Sequence, residues 1–216
     1  MDVDSRSSAE SGPAAQGLRN DDPTDAVLDL GDIFLRPWRD SDVPALVTAC
    51  QDPEIARWVS IPVPYEPADA HAFIDESRSM RRDGSGAAFA IVDPVEDGLL
   101  GAVSRFGPEG HQATLGCWVV REARGRGIGT RALRAVADWT FATTVVIRLD
   151  AYIMVGNTTS ERMTERAGFQ REGVLRAWDL LRGQPVDCVV YSRVRADGDD
   201  QGPDQRHGRP VPPGSF

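Results

Sequence analysis

The sequence predicts an α/β domain of mixed type, a mostly antiparallel sheet with helices on both faces. Three observations predict it. Short apolar stretches of strand length follow one another early in the chain, and a strand-helix-strand succession comes later. Between the two lies a loop dense in glycine and arginine that leads into an amphipathic helix. With 216 residues, 41% hydrophobic and 26% charged, the chain has enough length and apolar content to bury one sizeable core.

Ile33 to Arg36 reads as a short strand closed by Pro37, and the stretch from Val27 adds an edge strand before it. Residues 41–50 read as a helix with Ser41 as its N-cap. The second helix covers 68–83, with Ala70, Phe73, Ile74 and Ser77 on one face and Gly84 past its end. Residues 87–94 and 99–107 are strands around a turn at Glu96, Asp97 and Gly98, and 113–120 is a third strand. The glycine and arginine loop then opens a helix over 129–143. A strand over 145–153, a helix over 159–168 and closing strands over 174–181 and 186–194 complete the domain.

Both ends lack what folds. Residues 1–26 and 196–216 are rich in Ser, Gly, Pro and Asp and poor in apolar side chains, so they are expected to be disordered tails around a domain at 27–195. The formal charge of −9 belongs mostly to these ends, since residues 33–195 hold 21 acids and 20 arginines. A balanced domain argues neither for a basic ligand nor for nucleic acid. No apolar run reaches the ~18–20 residues of a spanning helix and the start lacks a signal-peptide layout, so a cytoplasmic protein without a membrane partner is expected. Cys50, Cys117 and Cys188 are odd in number and far apart, which predicts reduced thiols and no metal site.

The most informative segment is Arg121-Glu-Ala-Arg-Gly-Arg-Gly-Ile-Gly-Thr130. Glycines between a strand and a helix let successive amides curl into a concave nest, and the free N–H groups of the helix start face the same point. Together they form an anion site, to which Arg124 and Arg126 would add charge. Gly127-Ile-Gly-Thr-Arg-Ala132 also fits a dinucleotide fingerprint, with Asp150 placed like a ribose acid. Two features oppose that reading: six residues separate Val120 from Gly127, and hairpin-like strands precede the loop. A nucleotide-kinase loop is excluded because the chain contains no lysine.

Arg124-Gly-Arg-Gly127-Ile-Gly129 resembles the pyrophosphate loop of the Gcn5-related N-acetyltransferases (GNAT), which bind acetyl-coenzyme A. The segment from Leu35 to Trp58 is similar to the opening of their RimJ/RimL branch. Asn157 to Phe169 and Glu172-Gly-Val-Leu-Arg176 resemble two further segments of that branch, in the right order.

The resemblance implies the GNAT fold, its sheet splayed between the strands near Val120 and Val145 to form an acyl-CoA cleft. It implies a co-substrate, acetyl-CoA, and an amine acceptor. In that picture the loop, Arg124, Gly125, Arg126, Gly127, Ile128, Gly129 and Thr130, binds the pyrophosphate. Backbone groups of Trp118, Val119 and Val120 pair with the pantetheine arm, and a bulge near Trp118 polarises the thioester carbonyl. Asn157 holds the arm from the other side, unless it is simply a helix cap.

Ser160 occupies the position that protonates the leaving sulfur, while Thr164 stands where many relatives carry a tyrosine. The central-strand glutamate of many relatives is replaced by Thr114, which leaves Asp179, Glu109, His111 or a water chain for the amine proton. Trp58, Tyr65 and Phe73, with Trp38, are expected around the acceptor. Direct attack in a ternary complex is expected, from a monomer or a homodimer, with a carrier-protein or aminoacyl-tRNA donor left open. A non-catalytic acyl-CoA sensor and a dinucleotide oxidoreductase are the competing readings.

Overall fold

The computed structural model describes residues 26–198. The expected tails lie almost wholly outside the described residues. In chain order the elements are β1 (Leu28–Asp29), β2 (Phe34–Pro37), α1 (Val43–Cys50), α2 (Pro53–Trp58), α3 (Pro67–Asp83), β3 (Gly86–Val92), β4 (Leu99–Glu109) and β5 (Gln112–Val119). Then come α4 (Ile128–Thr143), β6 (Arg148–Met154), α5 (Thr158–Arg166), β7 (Gln170–Leu181) and β8 (Gln184–Val194). A 3-10 turn at Asp40–Asp42 leads into α1, another at Arg121–Ala123 follows β5, and a third at Arg195–Gly198 follows β8.

Eight strands form one sheet in the order β1-β2-β3-β4-β5-β6-β8-β7. Every neighbouring pair is antiparallel except β5 and β6, which run parallel because α4 crosses between them. Helix α4 buries Ile128, Ala132, Leu133, Val136 and Ala137, a stripe at helical spacing, against one face of the sheet. Helices α1 and α3 cover the opposite face through Val43, Leu46, Ala70 and Ile74. Strand β3, covered on both sides, is buried at every position and reads as a continuous apolar run.

The parallel pair is short. Gln112, Ala113 and Thr114 face Arg148, Leu149 and Asp150, and the pairing ends there. Beyond that rung β5 stays with β4 as far as Val119, while β6 stays with β8 as far as Met154. Each strand follows its own antiparallel partner, and a fork opens between them.

Three local expectations need correction. The segment after Asp52 forms α2, an element not anticipated, although Asp52 accepts the Glu54 N–H at 3.0 Å and Pro53 opens the helix. Ser41 does not cap α1. It lies inside the 3-10 turn, and Asp42 accepts the Arg39 N–H at 2.8 Å. No bulge interrupts β5 near Trp118: its register with β4 runs evenly from Thr114 to Val119. The irregularity lies one strand over, where Leu100 is the extra residue between the Ile91↔Gly101 and Val92↔Leu99 pairs.

Candidate functional site

The glycine loop reaches the open end of the fork and turns into α4. Gly125 and Gly127 both adopt left-handed backbone, φ 76° and 73°, with open space where a Cβ would stand. A side chain there would be strained by its own backbone. Gly127 is the N-cap of α4, and no side chain accepts a hydrogen bond from the helix start. By contrast Asp52 caps α2, Asn157 caps α5 and Asp69 ties the start of α3. The first amides of α4 therefore keep their donors for an outside anion, and the first turn holds no acid that would repel one. A pyrophosphate fits this chemistry.

Gly129 has a different job. A Cβ on it would stand 2.5 Å from Met163 Sδ and 3.2 Å from Val119 Cγ2. Its smallness lets α4 pack closely on α5 and β5, and it does not keep space open for phosphate. Ile128 is buried beneath the same helix start, and the Thr130 hydroxyl reaches the Met163 carbonyl at 3.5 Å.

The two arginines also part company. Arg126 is exposed. Arg124 turns back: its Nε donates to the Val119 carbonyl at 3.1 Å and its Nη2 to Asp52 Oδ2 at 2.6 Å. Arg121 Nη2 donates to the other Asp52 oxygen at 3.0 Å. Burial opposes the Asp52 charge, but hydrogen bonds from Arg121, the Glu54 N–H and Arg124 hold its carboxyl below the usual range. Arg124 thus clamps the loop to α2, which corrects its expected role as a free phosphate charge. Asp52 went unnoticed in the sequence; only its position before a proline marked it as a cap.

Along the fork, strand alternation decides which amides are available. The Val120 N–H donates to the Leu100 carbonyl, so the backbones of Val120 and Trp118 turn toward β4, and those of Val119 and Cys117 toward the fork. Of the three residues expected to pair with the pantetheine arm, the geometry offers only Val119. It adds Cys117, whose backbone was not among the three. The Cys117 side chain packs against the α4 core, and burial pushes its thiol up to about 12.

On the other side of the mouth, β6 ends and Asn157 begins α5. Its Oδ1 accepts the Ser160 N–H at 3.2 Å, which establishes the cap and leaves the side-chain NH2 as a donor. Ser160 is half-buried in the first turn of α5.

Helix α2 roofs the open end. Asp52 ties its start to the β5 side, and Arg182, at the β7–β8 hairpin, donates to the Ala56 carbonyl at its other end. Against α2 lies an open pocket of ≈ 340 Å³ whose lining includes Cys50, Ala56, Arg57, Tyr65 and Arg182. Tyr65, expected around the acceptor, is buried and lines this pocket. Trp58 does not line it: its Nε1 donates to Glu54 Oε2 at 3.3 Å and Arg57 covers its ring. Phe73 packs edge-on against buried Trp38 with centroids 5.4 Å apart, so both belong to the core under α3. Arg182 is a lining residue that no local pattern announced.

Asp179 is exposed on β7, two strands from β6, where its Oδ1 accepts the Leu180 N–H at 2.7 Å. Its neighbour Trp178 instead stacks on Tyr152 of β6, centroids 4.9 Å apart. His111 is exposed, and with Glu109 it belongs to the β4–β5 hairpin at the closed end. Among the described residues no group of three or more His, Cys, Asp or Glu side chains stands together as a metal site, and no helix is long and apolar enough to cross a membrane.

Residues 32–170 match the family model described as an acetyltransferase (GNAT) domain. The chain is 23% identical over 167 residues to the uncharacterized N-acetyltransferase p20 of Bacillus licheniformis, covering 76% of this chain and 94% of that one. It is 27% identical over 135 residues to the [ribosomal protein uS5]-alanine N-acetyltransferase of Escherichia coli, covering 61% and 69%. Among solved structures, the microcin C7 self-immunity acetyltransferase MccE, in complex with acetyl-CoA and AMP, superposes with a TM-score of 0.70 at 23% identity, covering 76% of this chain and 93% of that one.

Proposed function

The chain belongs to the GNAT acetyltransferase family, and from that premise we propose that it moves an acetyl group from acetyl-CoA to a primary amine by direct attack in a ternary complex. Acetyl-CoA supplies the activated thioester. The observation that carries the reading is the uncapped start of α4, with left-handed Gly125 and Gly127 before it, at the open end of the β5–β6 fork.

The amides of Ile128, Gly129 and Thr130 bind the pyrophosphate, and exposed Arg126 adds a full charge. The fork-facing backbones of Cys117 and Val119 pair with the pantetheine amides as a missing strand would, with Asn157 donating from the other side. Ser160 gives the proton that the leaving sulfur takes up. The Cys117 side chain packs on the α4 core and burial raises its thiol, which disfavours the thiolate that an acyl carrier needs.

The acceptor enters under α2. An Escherichia coli relative acts on the alanine of a ribosomal protein, which supports a peptide N-terminus as the acceptor. The pocket against α2 presents Arg57 and Arg182 and no carboxylate, so it suits an amine with an anionic group near it.

Two measurements test the function. Calorimetry should show one molecule of acetyl-CoA bound per chain and no comparable binding of NADP. Free thiol should then appear when a peptide with a free N-terminal alanine is added. Tight binding of acetyl-CoA without thiol release from a broad amine panel would overturn the transferase reading in favour of a sensor.

A further inference from the structure

The fork has a floor, and its chemistry is legible in the register. Ala113 and Leu115 of β5 and Leu149 and Ala151 of β6 pack toward α4. Thr114, Gly116 and Trp118, with Asp150, Tyr152 and Met154, therefore present the opposite face, the one covered by α1 and α3. Thr114 and Asp150 are register partners on the last rung before the strands part. Of these six residues Asp150 is the one carboxylate, and it is only 5% exposed.

A carboxylate so covered is normally saturated with hydrogen bonds. Asp150 is not. Arg148 Nη2 lies 2.7 Å from its Oδ1, yet the contact is off the N–H direction and Oδ1 receives no hydrogen bond. The guanidinium aims elsewhere, donating from Nη1 to Glu172 Oε1 at 2.9 Å and from Nη2 to Oε2 at 2.7 Å. Glu172 is held by this fork and by the Ser192 hydroxyl. Arg148 thus lies 2.7 Å from Asp150 Oδ1 as an ion pair while its two donated hydrogen bonds go to Glu172. Two residues further along the same face, the Tyr152 ring stacks on Trp178 and offers a π surface beside the carboxylate. An ammonium group suits that pair of neighbours.

We propose that Asp150 is the catalytic residue that takes the proton from the acceptor ammonium, a role that rests on the transferase reading above. The acceptor ammonium gives one proton to the Asp150 carboxylate and becomes an amine. Its nitrogen forms the bond to the acetyl carbon as the carbon–sulfur bond breaks and the electron pair leaves on sulfur. The second nitrogen proton balances the one that Ser160 delivers to that sulfur, and Asp150 returns its own proton to water. One amide, one thiol and one released proton result.

The register supplies the test. Asp150→Asn should lower kcat roughly 10²-fold, measured as thiol release with acetyl-CoA and a free N-terminal alanine peptide, while the Kd for acetyl-CoA stays within threefold. A carboxylate placed across the rung should restore function, so Thr114→Glu in the Asp150→Asn background should regain at least tenfold in kcat. Asp150→Ser, which also lacks a carboxylate, takes the place of the asparagine variant if that one fails to fold.

A folded Asp150→Asn enzyme with kcat within threefold of the parent overturns the proposal. So does a folded double variant that recovers nothing, since the loss then belongs to the Arg148 ion pair. A parent protein that releases no thiol with any amine refutes the transferase reading instead, and its silence is separable from a loss confined to the variants.

Discussion

Gly127 and Gly129 stand two residues apart in one motif, and the structure predicts opposite consequences for the same substitution. Alanine at position 127 meets nothing within 4 Å but must adopt φ near 73°, at a cost of roughly 1–2 kcal/mol for left-handed backbone. For a domain of this size that is a fall in Tm of about 2–8 °C. Relief of the strain turns the first amides of α4 away from their common point, so coenzyme A affinity should fall at least tenfold.

Alanine at position 129 keeps helical backbone and removes a glycine from a helix, worth about 1 kcal/mol in its favour. Against this stands a Cβ at 2.5 Å from Met163 Sδ, a flexible thioether that can move aside. The two nearly cancel, and coenzyme A affinity should stay within about threefold. Valine at 129 adds two methyls against Val119 and Met163, with an overpacking cost of about 1–3 kcal/mol. Differential scanning fluorimetry and calorimetry with coenzyme A check both halves. If Gly129→Ala, with Tm unchanged, loses as much affinity as Gly127→Ala, the division of labour between the two glycines is wrong.

Asp52→Ala removes the α2 cap, worth roughly 0.5–2 kcal/mol, and releases Arg121 and Arg124; KM for the amine should rise more than kcat falls, read by steady-state thiol release. Arg182→Gln with Arg57→Gln should reduce kcat/KM at least fivefold for a peptide with acidic residues near its N-terminus and little for its neutral analogue; equal losses would remove the anionic-acceptor reading. Hydrogen bonds from Arg148 and Ser192 hold the Glu172 carboxyl down to about 2. A depressed carboxyl stabilises the fold above its unfolded value, so this contribution should be constant from neutral pH to about pH 4.5 and fade as pH drops toward 2. Chemical denaturation across that range should show the loss in the parent and a flatter curve for Glu172→Gln. Burial raises the thiols of Cys50 and Cys117 to about 12 and also lifts that of Cys188, so Ellman's reagent at pH 8 should react quickly only after denaturation.

By itself the sequence determined whatever depends on near neighbours along the chain. The apolar alternation of the strands, the buried stripe of α4, the glycine loop before it and the Asn157 helix start are each written within a dozen residues, where backbone sterics and side-chain period act directly. Tertiary structure alone decided the relations between distant segments. Asp52 meets Arg124 across 72 positions, and Arg182 reaches Ala56 across 126. Thr114 faces Asp150 only because a helix carries the chain over to a parallel strand, and that pairing stops after three rungs. Gly129 looks like its neighbour Gly127 until α5 arrives beneath it. The physical reason is common to all four. A local window sets the direction in which a side chain leaves the backbone, but what it then touches depends on which segments the core brings together.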